Sequence, residues 1–168
     1  MGKTVLLVED SEDDIFFARR AFEEAGLLAS LNHVEDGQKA IEYLSAKGPY
    51  ADRMRFPIPS VALLDIKLPF ISGLEVLKWI REQSGSPRLP VIVFTSSDQE
   101  RDVEKAYALG ANAYVMKPAR AEYYSNLVTL IKRFWIDVNI PPPPKPESGE
   151  TLRSKMSFPL PVLHKTSY

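Results

Sequence analysis

The sequence predicts an α/β fold, a doubly wound parallel sheet, followed by a proline-rich C-terminal extension. Three observations carry this expectation. Short apolar runs of strand length recur along the chain, and they are apolar on both faces, as buried parallel strands are. Segments with helical spacing of apolar residues alternate with those runs. The pattern stops at Asp137, beyond which prolines dominate.

The elements follow in order. Thr4-Val5-Leu6-Leu7-Val8 is the first strand, and it ends on the acids Glu9-Asp10-Ser11-Glu12-Asp13-Asp14. A helix is expected over Asp13 to Ala25, with acids at its front and Gly26 at its C-terminal boundary. Leu31 to Val34 forms a short strand. Asp36-Gly37 turns into a helix carrying Ala40, Ile41 and Leu44, and Gly48 to Pro59 reads as a polar loop. Val61-Ala62-Leu63-Leu64 is the next buried run and ends on Asp65. Ser72 to Glu82 is helical in pattern. Val91-Ile92-Val93-Phe94 is a further strand and ends on Thr95. Asp98 to Leu109 is an amphipathic helix closed by Gly110. Asn112 to Met116 is the last strand, followed by Lys117-Pro118, and Arg120 to Ile136 is the final helix. The expected organisation is one domain over residues 1–138 and a tail over residues 139–168, where Pro141 to Pro144 and three later prolines favour extended chain.

Composition narrows the function classes. The 168 residues are 45% apolar and 26% charged, an ordinary balance for a globular domain. The net charge of −1 points to neither nucleic acid nor an anionic membrane. There is no cysteine, which excludes disulfides, thiolate nucleophiles and cysteine-based zinc sites. The N-terminal apolar run is too short for a signal segment or a membrane span, so a cytoplasmic location is expected.

In a doubly wound sheet, ligands bind outside the carboxyl ends of the strands, where the strand order reverses. The residues at those ends here are Glu9, Asp10, Asp65, Thr95 and Lys117. Three converging carboxylates need a counter-charge, because each raises the pKa of the others. Lys117 supplies one. A hard divalent cation such as Mg2+ supplies the rest, since it takes a few carboxylates together with waters and phosphate oxygens. Such a cleft suits a metal and a phosphoryl group together. Asp65 is the candidate nucleophile, because carboxylates form aspartyl phosphates. Thr95 offers a hydroxyl hydrogen bond to a phosphoryl oxygen. Lys117 pairs with that phosphate, or with Asp65 before phosphate arrives. Glu12, Asp13 and Asp14 are assigned mainly to the helix dipole. Asp36-Gly37 is read as a helix start, and His33 and His164 as structural or exposed. No glycine pattern for nucleotide binding is present.

These residues carry a family resemblance. Leu6-Leu7-Val8-Glu9-Asp10, then Leu63-Leu64-Asp65-Ile66-Lys67-Leu68-Pro69 with Ser72-Gly73, then Val93-Phe94-Thr95-Ser96, then Gly110 to Pro118 resemble, in order, the receiver domains of two-component response regulators of the CheY type. The resemblance spans roughly residues 3–136. It implies a (βα)5 flavodoxin-like fold, Asp65 as phosphoacceptor, Glu9 and Asp10 as metal-side acids, and the Lys67 carbonyl as a further metal ligand. It also implies Thr95 as switch hydroxyl, Tyr114 as switch aromatic, Lys117 as the phosphate-pairing lysine, and a cis peptide before Pro118. Gly48-Pro49-Tyr50 and Phe134-Trp135 are similar to the small regulators that partner phytochrome-type histidine kinases. Lys67 stands where many receivers carry Asn, Asp or Arg.

The expected function is a single-domain regulator, phosphorylated by a histidine kinase and signalling through protein contacts rather than as an enzyme on external substrates. A metal-dependent phosphatase is the competing class; the lack of a second acid two residues after Asp65 speaks against it. A purely structural interaction module is the third, and the intact acid–threonine–lysine set opposes it. The final helix carries two apolar stripes, Tyr123/Leu127/Leu130/Phe134 and Tyr124/Val128/Ile131/Trp135. Their combined width suggests an interface including Tyr124, Phe134 and Trp135, hence a homodimer, with the tail segment Met156 to Leu163 helping to cover it.

Overall fold

The computed structural model describes residues 3–82 and 89–140. Five strands form one parallel sheet: β1 (Val5–Val8), β2 (Leu31–Val34), β3 (Val61–Leu64), β4 (Val91–Thr95) and β5 (Ala113–Met116), in the spatial order β2-β1-β3-β4-β5. Five α-helices connect and cover it: α1 (Glu12–Glu24), α2 (Gly37–Leu44), α3 (Gly73–Glu82), α4 (Glu100–Ala108) and α5 (Glu122–Ile131).

Alternation along each strand divides the core in two. Val5 and Leu7 of β1, Val61 and Leu63 of β3, and Ile92 and Phe94 of β4 face α1 and α5, packing with Ala18, Ala21, Phe22, Tyr124, Val128 and Ile131. Leu6, Val8, Ala62, Leu64 and Val91 face the other way, onto α2 and α3. Val93 on that same face meets Ala106 of α4. With both sheet faces covered, the three central strands are buried at every position, which explains their unbroken apolar runs.

Helix starts follow local chemistry. Ser11 caps α1 by accepting the Asp14 N–H, and Asp36 caps α2 by accepting the Lys39 N–H at 2.6 Å. Ser72 and Glu75 satisfy each other's backbone donors at the start of α3, a capping box. Gly73 is required there by space: a Cβ would lie 1.9 Å from the Asp65 carbonyl oxygen. The loop before it turns through Phe70 at φ 64°, a left-handed conformation that strains a non-glycine residue.

Several expectations are revised. The Gly48–Pro59 stretch is no simple polar loop. It opens with a 3-10 turn, and Tyr50 and Phe56 form an aromatic trio with Tyr43 of α2, with centroids 5.2 to 6.0 Å apart. Arg53 fastens it by donating to the carbonyls of Tyr43, Leu44 and Phe56, two of which belong to the end of α2. Helix α4 starts at Glu100 rather than Asp98. The last helix is regular only to Ile131 and continues as a π-helical segment over Lys132–Val138. There Asn139 N–H donates to Phe134 O at 2.7 Å, and Lys3 Nζ donates to the carbonyls of Ile136 and Asn139. The wide turn keeps Ile136 buried against the α1–α5 core. All peptide bonds among the described residues, Lys117–Pro118 included, are trans. The proline tail, with His164 and the segment Met156 to Leu163, lies outside the described residues.

Candidate functional site

The strand order reverses between β1 and β3: the chain leaves β1 toward β2 on one side, and β3 lies on the other. Val8 is in register with Leu64, so the next residues, Glu9 and Asp65, leave the sheet side by side. Thr95 is in register with Met116, which brings Lys117 to the same end, with its N–H on the Thr95 carbonyl at 2.8 Å. Short parallel strands in fixed register thus gather side chains from four separate parts of the chain.

Their geometry is tight. The Lys117 ammonium lies 2.6 Å from Asp65 Oδ2, 2.5 Å from Glu9 Oε2 and 2.9 Å from Asp14 Oδ2, with its side chain only 4% exposed. Burial alone would pull its pKa down, but the hydrogen bonds to Asp65 and Asp14 and the charge contact with Glu9 hold it above the usual lysine value. Burial raises Glu9, and the Lys117 contact only partly offsets this. Asp65 Oδ1 accepts the Lys67 N–H at 3.1 Å. Glu9 Oε1 accepts the Ser11 N–H at 3.1 Å, and the Glu9 carbonyl accepts from His33 Nε2 at 2.9 Å, which gives that histidine a supporting role.

Glu9, Asp10 and Asp65 each present a carboxylate oxygen within 4.8 Å of the other two. An all-oxygen set of this kind fits a hard divalent cation. Glu9 Oε2 supports the fit independently: it is buried and, despite its charge contact with Lys117, receives no aligned hydrogen bond. A buried oxygen in that state leaves a lone pair for an incoming ligand. Asp10 is exposed and borders solvent, and Lys67 is exposed beyond Asp65.

Thr95 is fully buried, and its Oγ1 accepts the Ser97 N–H at 3.3 Å. The Tyr114 hydroxyl donates to the Ser97 carbonyl at 2.9 Å, while Ser97 Oγ donates to Asp102 of α4 at 2.7 Å. Thr95 and Tyr114 therefore hold the same short loop between β4 and α4.

Two residues belong to the site that were not expected there. Asp14, assigned from the sequence to the helix dipole, contacts Lys117; burial, the largest single influence, would raise its pKa, but the hydrogen bonds from Tyr124 and Lys117 and the Lys117 charge together lower it. Tyr124, expected on an interface, is 2% exposed and donates its hydroxyl to Asp14 Oδ1 at 2.6 Å. The correction has a simple cause: α5 turns the stripe Tyr124, Val128, Ile131 inward onto β4 and α1, so that stripe is core. Trp135 is half-buried against the same cluster. The other stripe stays largely outside, with Tyr123, Leu130 and Phe134 each at least half exposed. Spacing of the motif acids could flag Asp14 at most as one acid among three; nothing in the sequence pairs it with a residue 110 positions away.

Comparison with known proteins agrees with this geometry. The chain is 34% identical over 135 residues to response regulator Rcp1 of Synechocystis sp., which covers 80% of this chain and 90% of that protein. The crystal structure of the Mn(2+)-bound form of Rcp1 superposes with a TM-score of 0.72, covering 84% of this chain and 99% of that one. The phosphorylated cyanobacterial phytochrome response regulator RcpA is 32% identical, with a TM-score of 0.78 and coverage of 85% and 100%. The bacteriophytochrome response regulator RtBRR is 40% identical, with a TM-score of 0.67 and coverage of 85% and 86%. The family model of the response regulator receiver domain matches residues 5–129, and its members are regulators rather than metabolic enzymes. With a carboxylate cluster and a lysine at the reversal point of a β2-β1-β3-β4-β5 sheet, and with that match over most of its length, this chain belongs to the response regulator receiver domain family.

Proposed function

We propose that Asp65 accepts a phosphoryl group from a histidine kinase, with Mg2+ bound by Glu9, Asp10, Asp65 and the Lys67 carbonyl. The observation that carries this reading is the Lys117 ammonium clasped between Asp65 and Glu9, which together with Asp10 form three carboxylates able to share a cation. When bound, the cation neutralises charge on the transferring phosphoryl oxygens. An Asp65 oxygen attacks phosphorus, the bond from phosphorus to the donor's leaving atom breaks, and an acyl phosphate forms. Lys117 turns from the Asp65 carboxylate to a phosphoryl oxygen. The Thr95 hydroxyl donates to another, drawing on the loop that Tyr114 also holds. Removal of phosphate is the reverse demand on the same residues, with water as acceptor. The chain's catalysis is thus confined to its own modification.

Likeness to the phytochrome regulators supports a phytochrome-type kinase as partner. Signalling would run through the face made by α4, β5 and α5, where Tyr123, Leu130 and Phe134 are exposed, and a second copy of the chain is the proposed occupant. Residues 1–138 act as the receiver and 139–168 as a tail. No helix of the described residues is long and apolar enough to cross a membrane. The net charge of −1 fits action without nucleic-acid contact, and a cytoplasmic site of action is proposed with the kinase partner. The test is intact-mass analysis with Mg2+ and a small acyl phosphate donor. Wild type should gain one phosphoryl group and Asp65→Asn none; an undiminished adduct on the variant would reject Asp65.

A further inference from the structure

Lys117 has three carboxylate partners, and two of them have competing roles. Glu9 and Asp65 belong to the group able to hold a cation, and Asp65 is the proposed acceptor. Asp14 lies outside that group. Its two oxygens are divided between Lys117 Nζ, 2.9 Å from Oδ2, and the Tyr124 hydroxyl, 2.6 Å from Oδ1. Tyr124 has little freedom to move: its ring packs on Phe17 of α1 and Phe94 of β4, with centroids 5.6 and 6.0 Å away. The hydroxyl therefore fixes the carboxylate, and the carboxylate is already aimed at the ammonium.

We infer that Asp14, held by the Tyr124 hydroxyl, is a positioning residue for Lys117. It is the standing acceptor that keeps the ammonium at the mouth of the site when Glu9 and Asp65 turn to a cation or a phosphoryl group. The inference rests on the phosphoacceptor reading above. Its physical basis is the state that would otherwise arise. An ammonium 4% exposed that lost two of three acceptors would be left nearly unpaired, and buried unpaired charge is strongly disfavoured. It would swing toward solvent, away from the phosphoryl group it must meet. Asp14 prevents that without spending a ligand of the cation, and fixing the group before reaction is what makes such a site fast. Exposed Glu12 and Asp13 on the same turn suffice for the helix dipole, so that duty does not account for the contact.

The test compares the full chain with Asp14→Asn, Tyr124→Phe and, as a control of equal charge change on the same turn, Asp13→Asn. The first readout is the 15N signal of the lysine ammonium groups, with Lys117 assigned by its loss in Lys117→Arg. A slowly exchanging Lys117 signal is expected in wild type and Asp13→Asn, shifted or broadened in Tyr124→Phe and lost in Asp14→Asn. The second is the rate of phosphorylation by acetyl phosphate with Mg2+. Misplacing a catalytic group by a fraction of an ångström predicts a fall of about tenfold for Asp14→Asn and about threefold for Tyr124→Phe. A wild-type Lys117 signal and wild-type rates in both variants would overturn the inference. So would a loss in Asp13→Asn equal to that in Asp14→Asn, which would reduce the effect to charge on the helix. Failure of wild type itself to be phosphorylated, with the ammonium signals behaving as expected, would instead overturn the phosphoacceptor reading and leave the positioning contact standing.

Discussion

Replacing Lys117 with Met tests the electrostatics of the site directly. The side chain is 4% exposed, and its ammonium lies within 2.9 Å of three carboxylates, two of them at most 6% exposed. Met keeps most of the buried stem and removes only the charge. Breaking a buried pair by removing one partner typically costs about 3–5 kcal/mol, because the other charge is left uncompensated. Here Glu9 gives some relief: burial already raises its pKa, so it can take up a proton when Lys117 is gone. That places the expected loss near the lower end, about 3 kcal/mol at neutral pH without divalent cations. With a urea m-value of about 1–3 kcal/mol/M, the unfolding midpoint should fall by roughly 1–3 M. Adding Mg2+ should then stabilise the variant more than wild type, since no ammonium competes for Glu9 and Asp65; at about 100 times its Kd a ligand adds about 2.7 kcal/mol. Urea unfolding followed by tryptophan fluorescence, with and without Mg2+, reads both effects. A variant in metal-free buffer with a midpoint within about 0.3 M of wild type, a difference of at most about 1 kcal/mol, would refute the argument that these carboxylates depend on Lys117.

Three further outcomes are expected. Gly73→Ala places a Cβ 1.9 Å from the Asp65 carbonyl and 2.8 Å from Ile66 Cα, so the backbone must shift; calorimetry should show a loss of about 1–3 kcal/mol, and the Asp65 phosphorylation rate should fall with it. Stability should decline as pH rises above 10, because burial and then the Asp14 contact hold the Tyr124 phenol protonated in the folded chain after the unfolded chain has begun to ionise at its ordinary value of 10.0. The contribution is fully present below that pH and is lost on the way up to the folded value. Urea titrations from pH 9 upward should show a shallower decline in Tyr124→Phe, and tyrosinate absorbance should show Tyr43 ionising near 12. Phe134→Glu, at a position 54% exposed, should leave the fold intact and convert the proposed dimer to monomer in sedimentation velocity; an unchanged dimer would place the interface elsewhere.

The sequence by itself determined the alternation of strands and helices and which side chains stand at the strand ends. Both are local: a strand buried on both faces reads as an unbroken apolar run, as in Val61 to Leu64, and the residue that ends it, Asp65, is the one presented at the sheet's edge. Glu9, Asp10, Thr95 and Lys117 were legible for the same reason. Only the tertiary structure decided which apolar stripe of α5 faces the core, because a helix shows its partner's position only once it is docked. The two stripes were equivalent in spacing, yet docking on α1 and β4 buried Tyr124 and left Tyr123, Leu130 and Phe134 outside. The same docking recruited Asp14. Its role depends on a hydroxyl 110 residues later and an ammonium 103 residues later, and contacts over such separations leave no trace in local pattern. Docking of α5 on α1 brings Tyr124 to Asp14, and parallel β-strand register brings Lys117 beside Asp65 at the carboxyl end of the sheet.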